Sequence, residues 1–425
     1  MVAVTNASPV KLKSANWSSS PQRVWLRRAL FQVHLWVGIA LLAYAIVIGL
    51  TGSALVFRDE MEHAMWPAVY RVAPVQRSIT MQAAVDRIQS DRPGWVLFAL
   101  RDFNTPGQAT TALMRPAVGQ LSANYRQVYF DPNTGQVLLD RLRYGGWLGW
   151  LANVHEYLLA GATGLIVSGW MAVGLLVLCV TGIILWWPGI QRWTGALMVN
   201  PKARWKRLNW ELHSVLGFWT CAALIAVTFT GLDFAFPRTI GDVVELATGS
   251  SLTPPSTPTI SMKRQSPSNG PSVSHPVMNI DQAIEAVRVA LPREAPAGYL
   301  QLPSTQAGAV QYKATGYYTG SLPFSELVRV TMDARTGAIL AYRDTRKESR
   351  GSRIEQYFTT VHFGSFGGDG LFGVAIKSVW VMVGVAPVVL AVTGFIMYWN
   401  RKLRPAWLRM KRLRASPGLK VVVRG

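Results

Sequence analysis

The residues with the clearest chemistry are histidines. Of the six in the chain, four stand at or just before the start of an apolar segment: His34, His155, His213 and His362. A neutral imidazole donates a nitrogen lone pair to iron, and two imidazoles facing each other among apolar helices form the site of a b-type haem. One histidine at a membrane interface is most often a satisfied polar side chain. Four at related positions, two for each leaflet, read instead as a ligand set. The expected pairs are His34 with His213 on the cytoplasmic side and His155 with His362 on the outer side. That makes two haem b groups, each with two histidines as axial ligands. A di-metal centre is disfavoured, because none of the four has a second His or a carboxylate at i+3 or i+4. His63 and His275 have no counterpart and read as surface residues.

Positioning these side chains falls to four apolar segments. Residues 31–57, 157–187 and 212–232 carry no formal charge, and 371–399 carries only Lys377. A run of 27 residues rises about 40 Å as a helix, more than the ~30 Å hydrocarbon core requires. Charged residues are only 15% of the 425, and mean hydropathy is +0.20, so a soluble multidomain protein is excluded. The expectation is a polytopic membrane protein with four spans.

The net charge of +21 would suggest nucleic acid if it were evenly spread. Nineteen Lys and Arg against one acid, Glu211, fall before the first span, between the second and third, and after residue 400. Residues 58–146 hold ten basic and eight acidic groups. The asymmetry puts both termini and the middle loop in the cytoplasm and marks contact with anionic lipid, not nucleic acid.

The chain reads as an internal duplication. His34 is followed by Gly38, Thr51, Gly52 and Phe57, and His213 by Gly217, Thr230, Gly231 and Phe236, at the same offsets of 4, 17, 18 and 23. Spans two and four share Thr181-Gly182 and Thr393-Gly394, so each span holds a Thr-Gly pair. Close helix packing accounts for those pairs, and Gly38, Gly52, Gly217 and Gly231 let backbones or a flat macrocycle approach closely. Between spans, Asp131-Pro132-Asn133-Thr134-Gly135 matches Asp333-Ala334-Arg335-Thr336-Gly337 as a hairpin turn. Strand patterns at 127–130 and 327–332 flank the turns, and helical stretches at 80–89 and 279–290 precede them. The Pro- and Ser-rich stretch 248–278 is expected to be a flexible insertion.

Other features carry less. Cys179 and Cys221 lie inside spans, which excludes a disulfide scaffold and a c-type haem site. Gly368-Asp369-Gly370-Leu371-Phe372-Gly373 fits a dinucleotide fingerprint, but no strand precedes it. Arg27, Arg28, Arg207 and, on the outer side, Lys377 are candidates to pair with haem propionates. Cytoplasmic loops are too short for a flavin or nicotinamide domain, so the electron donor is expected to be quinol or a separate cytoplasmic reductase.

These residues resemble the PepSY-associated transmembrane helix family of bacterial inner-membrane proteins. The likeness runs from His34-Leu35-Trp36-Val37-Gly38 to Leu50-Thr51-Gly52, from His213 to Thr230-Gly231, and from His362-Phe363-Gly364 to Trp399. It implies PepSY-like soluble domains and, through members similar to FoxB-type ferric-siderophore reductases, a di-haem protein delivering electrons to periplasmic Fe(III)-siderophore. The ligands carried over would be His34, His155, His213 and His362. The alternative is a non-enzymatic PepSY sensor or peptidase-inhibitory module. The expected fold is a membrane all-α four-helix bundle with two exoplasmic α+β domains. Its layout is tail 1–24, span 25–57, soluble domain 58–148, span 150–188, loop 189–208, span 209–237, soluble domain 238–358, span 360–400 and basic tail 401–425.

This topology is open to a direct test. Reporter fusions after Asn133 and Ser268 should give a periplasmic signal and one after Lys202 a cytoplasmic signal; the reverse would invert the assignment of inner and outer histidines.

Overall fold

The structure of the chain, a computed structural model, describes residues 25–73, 78–117, 124–252, 277–303, 310–323, 325–368 and 370–415. The tail 1–24, His275 and most of the 248–278 stretch lie outside the described residues. The first half of the chain contains α1 (Trp25–Ala40), α2 (Leu42–Leu55), α3 (Arg58–Met65), α4 (Pro67–Tyr70) and α5 (Met81–Ser90). It continues with β1 (Trp95–Arg101), β2 (Thr110–Pro116), β3 (Arg126–Phe130), β4 (Val137–Leu142), α6 (Gly146–Tyr157) and α7 (Gly161–Trp186). The second half begins with α8 (Trp205–Ala235), α9 (Pro237–Thr248) and α10 (Ile280–Ala290). Then come β5 (Ala297–Gln301), β6 (Gln311–Tyr317), β7 (Leu327–Asp333), β8 (Ile339–Asp344), α11 (Arg350–Glu355), α12 (Phe358–Phe363), α13 (Leu371–Tyr398) and α14 (Arg404–Ala415).

Contacts divide the chain into two units. One takes residues 1–50, 170–228 and 383–425, and the other takes 51–169 and 229–382.

Among the described residues three helices are long and apolar enough to cross a membrane: α7, α8 and the stretch Leu371–Arg412 that begins with α13. The expected first span is instead a pair, α1 and α2, bent by 64°. Backbone bonding continues through the bend, from Leu41 N–H to Val37 and from Ala45 N–H to Leu41. Leu41 is buried and packs so closely on α7 that a Cβ on Gly174 would lie 2.7 Å from its Cδ1.

The expected second and fourth spans also break. Leu158, Leu159 and Gly161 take positive φ of 49°, 61° and 56°, which ends α6 before α7 begins. A left-handed non-glycine residue costs about 1–3 kcal/mol and persists only where its surroundings enforce it. Gly364, Gly368 and Gly370, all at positive φ, separate α12 from α13. His155 and His362 therefore ride on short helices of their own.

The two expected soluble domains are joined in one sheet. Its order is β4-β3-β2-β1-β5-β6-β7-β8, antiparallel throughout. The join is the β1–β5 pair, with Ala99 opposite Gln301, Leu100 opposite Leu300 and Arg101 opposite Tyr299. Two separate sheets would each expose the unpaired backbone of that strand, and pairing removes both edges. Leu100 and Leu300 are fully buried in a core shared with Phe130, Met332 and helices α5 and α10.

Local chemistry matches the expected helices and turns. Thr80 caps α5, and Asn279 with Gln282 forms a capping box on α10. Each helix also serves the other: the Asp281 carboxylate accepts from the Met81 and Gln82 N–H groups at 2.9 Å, and Gln82 Oε1 accepts from Ile280 N–H at 2.9 Å. In the hairpins Gly135 and Gly337 share a φ of 72°. The Thr336 and Arg335 N–H groups hold the Asp333 carboxyl below its usual range.

Replacing Asp281 with Ala strips two N–H partners and a favourable charge from the start of α5. Unfolding of purified protein should show a loss of about 1–2 kcal/mol.

Candidate functional site

In the unit of residues 1–50, 170–228 and 383–425, α1 brings His34 and α8 brings His213 together. Their ring centroids are 6.3 Å apart and their planes are 86° apart. His34 Nδ1 lies 2.9 Å from Thr181 Oγ1 on α7, and His213 Nδ1 lies 3.0 Å from Thr393 Oγ1 on α13. The Leu390 carbonyl is a further neighbour of His213 Nδ1, at 3.1 Å. Beside each threonine is a glycine facing the same ring. A Cβ on Gly182 or on Gly394 would stand 3.3 Å from the Cε1 of His34 or His213. Asn209, buried on α8, donates to the Thr393 carbonyl at 3.0 Å.

The unit of residues 51–169 and 229–382 holds the other pair. His155 on α6 and His362 on α12 also have ring centroids 6.3 Å apart, with planes at 55°. Thr51 Oγ1 meets His155 Nδ1 at 3.0 Å and Thr230 Oγ1 meets His362 Nδ1 at 3.3 Å. The glycines are tighter here: a Cβ on Gly52 would be 2.8 Å from His155 Cε1, and one on Gly231 3.0 Å from His362 Cε1.

The two short helices are pinned next to their histidines. Glu156 accepts from the Tyr144 hydroxyl at 2.6 Å and from Arg143 at 3.1 Å, which ties α6 to the segment leaving β4. Burial and that carboxylate push the Tyr144 phenol well above its ordinary pKa. On α12, Thr360 donates to the Pro323 carbonyl at 2.5 Å, and the Trp380 indole donates to Val361 at 2.8 Å.

The contact of the four Thr-Gly pairs with the histidines is what reading by spacing missed. Gly38 and Gly217 do stand at ordinary packing distance from Leu178 and Leu390. The glycines of the Thr-Gly pairs face histidines instead, and all four threonines are buried. Recurrence of Thr-Gly in every apolar segment was the available signal. Which histidine each pair serves was not in it, because Thr51 and His155, or Thr230 and His362, are more than 100 residues apart.

Three cations expected to pair with propionates have protein partners. Arg27 donates to the Trp187 carbonyl at 3.0 Å and to that of Leu185, at the end of α7. Arg207 bonds Glu211 at 2.7 Å, and Lys377 bonds Glu60 at 2.6 Å. Arg28 is exposed. His63 is exposed, and its ring centroid lies 3.7 Å from that of Tyr70 with the planes tilted by 38°. The glycine-rich stretch is a tight entry to α13, where a Cβ on Gly367 would lie 2.8 Å from Gly373 Cα.

The ring spacing of each pair is compatible with two imidazoles on one metal. A metal–nitrogen bond of about 2 Å on each side plus a ring radius of about 1 Å gives about 6 Å between centroids, against the observed 6.3 Å. Two axial imidazoles are the donor set of a b-type haem.

Residues 31–401 match the PepSY-associated TM region. No curated protein matches the chain. The match covers most of the sequence and includes all four histidines, and it coincides with apolar helices long enough to span a bilayer. The chain is therefore a multi-pass membrane protein of the PepSY-associated TM region family.

Proposed function

We propose that the chain is a four-span electron carrier of a bacterial inner membrane, built by duplication, that reduces Fe(III)-siderophore on the periplasmic side. One haem b would sit between His34 and His213 and the other between His155 and His362. The observation that supports this reading most is the sameness of the two pairs. Both have a 6.3 Å ring separation, and every ring meets a threonine hydroxyl and a glycine.

A haem bound in each pair supplies a one-electron carrier within an apolar setting. The chain's own residues do the rest. The histidines offer neutral nitrogen donors, the threonines hold each ring by Nδ1, and the glycines make room where a Cβ would press on Cε1. Electrons enter from quinol or from a cytoplasmic reductase and leave to the ferric substrate. Reduction weakens the grip of hard oxygen ligands on the metal and releases Fe(II) for uptake.

Purified protein, expressed with ample haem, should show a Soret band and two haems per chain. A preparation without that band would favour the non-enzymatic sensor or inhibitory module. His34→Ala and His213→Ala should each leave one haem, and the double variant should match either single; His155→Ala and His362→Ala should do the same for the other site. Should His34→Ala and His155→Ala empty the same site, as judged by stoichiometry and difference spectra, the pairing is wrong.

The glycines give a graded test. Gly52→Ala sets a methyl 2.8 Å from its imidazole and should empty its site, whereas Gly182→Ala, at 3.3 Å, should lower occupancy without abolishing it. Equal haem content in the two variants would contradict a role for the glycines in seating the rings.

A further inference from the structure

The inner pair carries more information than its spacing. Thr181 Oγ1 lies 2.6 Å from the Val177 carbonyl and Thr393 Oγ1 lies 2.6 Å from the Val389 carbonyl, each four residues back on its own helix. A hydroxyl has one hydrogen and a carbonyl oxygen only accepts. At these distances the hydrogen of each threonine is committed to its helix. The oxygen can then meet an imidazole only as an acceptor. His34 Nδ1, at 2.9 Å, and His213 Nδ1, at 3.0 Å, must be the donors.

A second acceptor on each ring gives the same answer. The Leu390 carbonyl is 3.1 Å from His213 Nδ1, and the Leu178 carbonyl bonds the ring of His34. Each of these partners can only accept from the ring it meets.

We infer that Thr181 and Thr393 are positioning residues that lock His34 and His213 as the Nδ1–H tautomers, turning over the Nε2 lone pairs to a metal and making them more basic. The inference rests on the haem reading above, and it adds a redox consequence. A ring nitrogen whose partner N–H is hydrogen-bonded is a stronger donor, and a stronger donor favours the ferric over the ferrous state. The two threonines thus hold the potential of the inner haem down. A haem held by His34 and His213 would then be the stronger electron donor once reduced.

Valine keeps the branched shape of threonine and removes only the hydroxyl. In a redox titration of the holoprotein, the Thr181→Val/Thr393→Val double variant should raise the potential of one haem while the other stays fixed as an internal reference. A tenfold loss of ferric preference corresponds to about 59 mV for one electron. Thr181→Ser/Thr393→Ser, which restores the hydroxyls, should return the potential to that of the parent protein. If the valine variant loses the inner haem and the serine variant keeps it, the hydroxyl requirement also stands. Loss in both would mean that the methyl group packs the site and would overturn the inference. So would a loaded valine variant whose potential is unchanged or lower, or a shift that serine fails to reverse. A parent protein with no haem would instead sink the underlying reading, and the redox role of the threonines with it.

Discussion

A polar ring packed among apolar helices must have its hydrogen-bonding groups answered, and the arrangement of both histidine pairs follows from how that demand is met. In each of the four cases a threonine hydroxyl answers Nδ1. Threonine suits the task because its hydroxyl is at home inside a helix, bonded to the carbonyl of the preceding turn, so no new polar group is exposed to lipid. Glycine follows threonine because the ring held in this way brings Cε1 to the place where the next Cβ would stand. In each case the threonine and the glycine meet the same ring.

This arrangement also separates two duties along the chain. Each ring is held by the half of the chain that carries it: Thr181 serves His34, Thr51 serves His155, Thr393 serves His213 and Thr230 serves His362. Each pair is completed by the other half, His34 with His213 and His155 with His362. Orientation is thus settled within a half, and the two rings of each pair come together only where the halves meet.

The sheet obeys the same logic with different chemistry. Four strands from each half would leave the backbone of β1 and β5 unpaired, and joining them buries Leu100 and Leu300 at the centre of a common core. Asp281 and Gln82 make the exchange reciprocal, each satisfying N–H groups at the start of the other's helix. The sheet then helps fix a histidine, because Arg143 and Tyr144 leave β4 and grip Glu156 next to His155. Lys377 fits the pattern: a charge within an apolar helix takes a carboxylate, Glu60, from another segment of the same unit.

Much of this protein is legible one residue at a time. Apolar length and the charge asymmetry define a membrane protein, Thr80 and Asn279 mark helix starts, and Asp131 to Gly135 and Asp333 to Gly337 mark hairpins, because each depends on neighbours within a few residues. His34 and His213 stand out by recurrence at matching offsets, and His155 and His362 by their place ahead of an apolar segment. Only the tertiary structure decided the rest. The bend at Leu41 and the separate helices of His155 and His362 arise from contacts and backbone angles that hydropathy does not encode. The fusion of two expected domains into one sheet depends on edge pairing between strands roughly 200 residues apart. The role of the Thr-Gly pairs was hidden for the same reason: local pattern can show that a small residue and a hydroxyl recur, but a hydrogen bond to a ring 100 or more residues away exists only once the chain has folded.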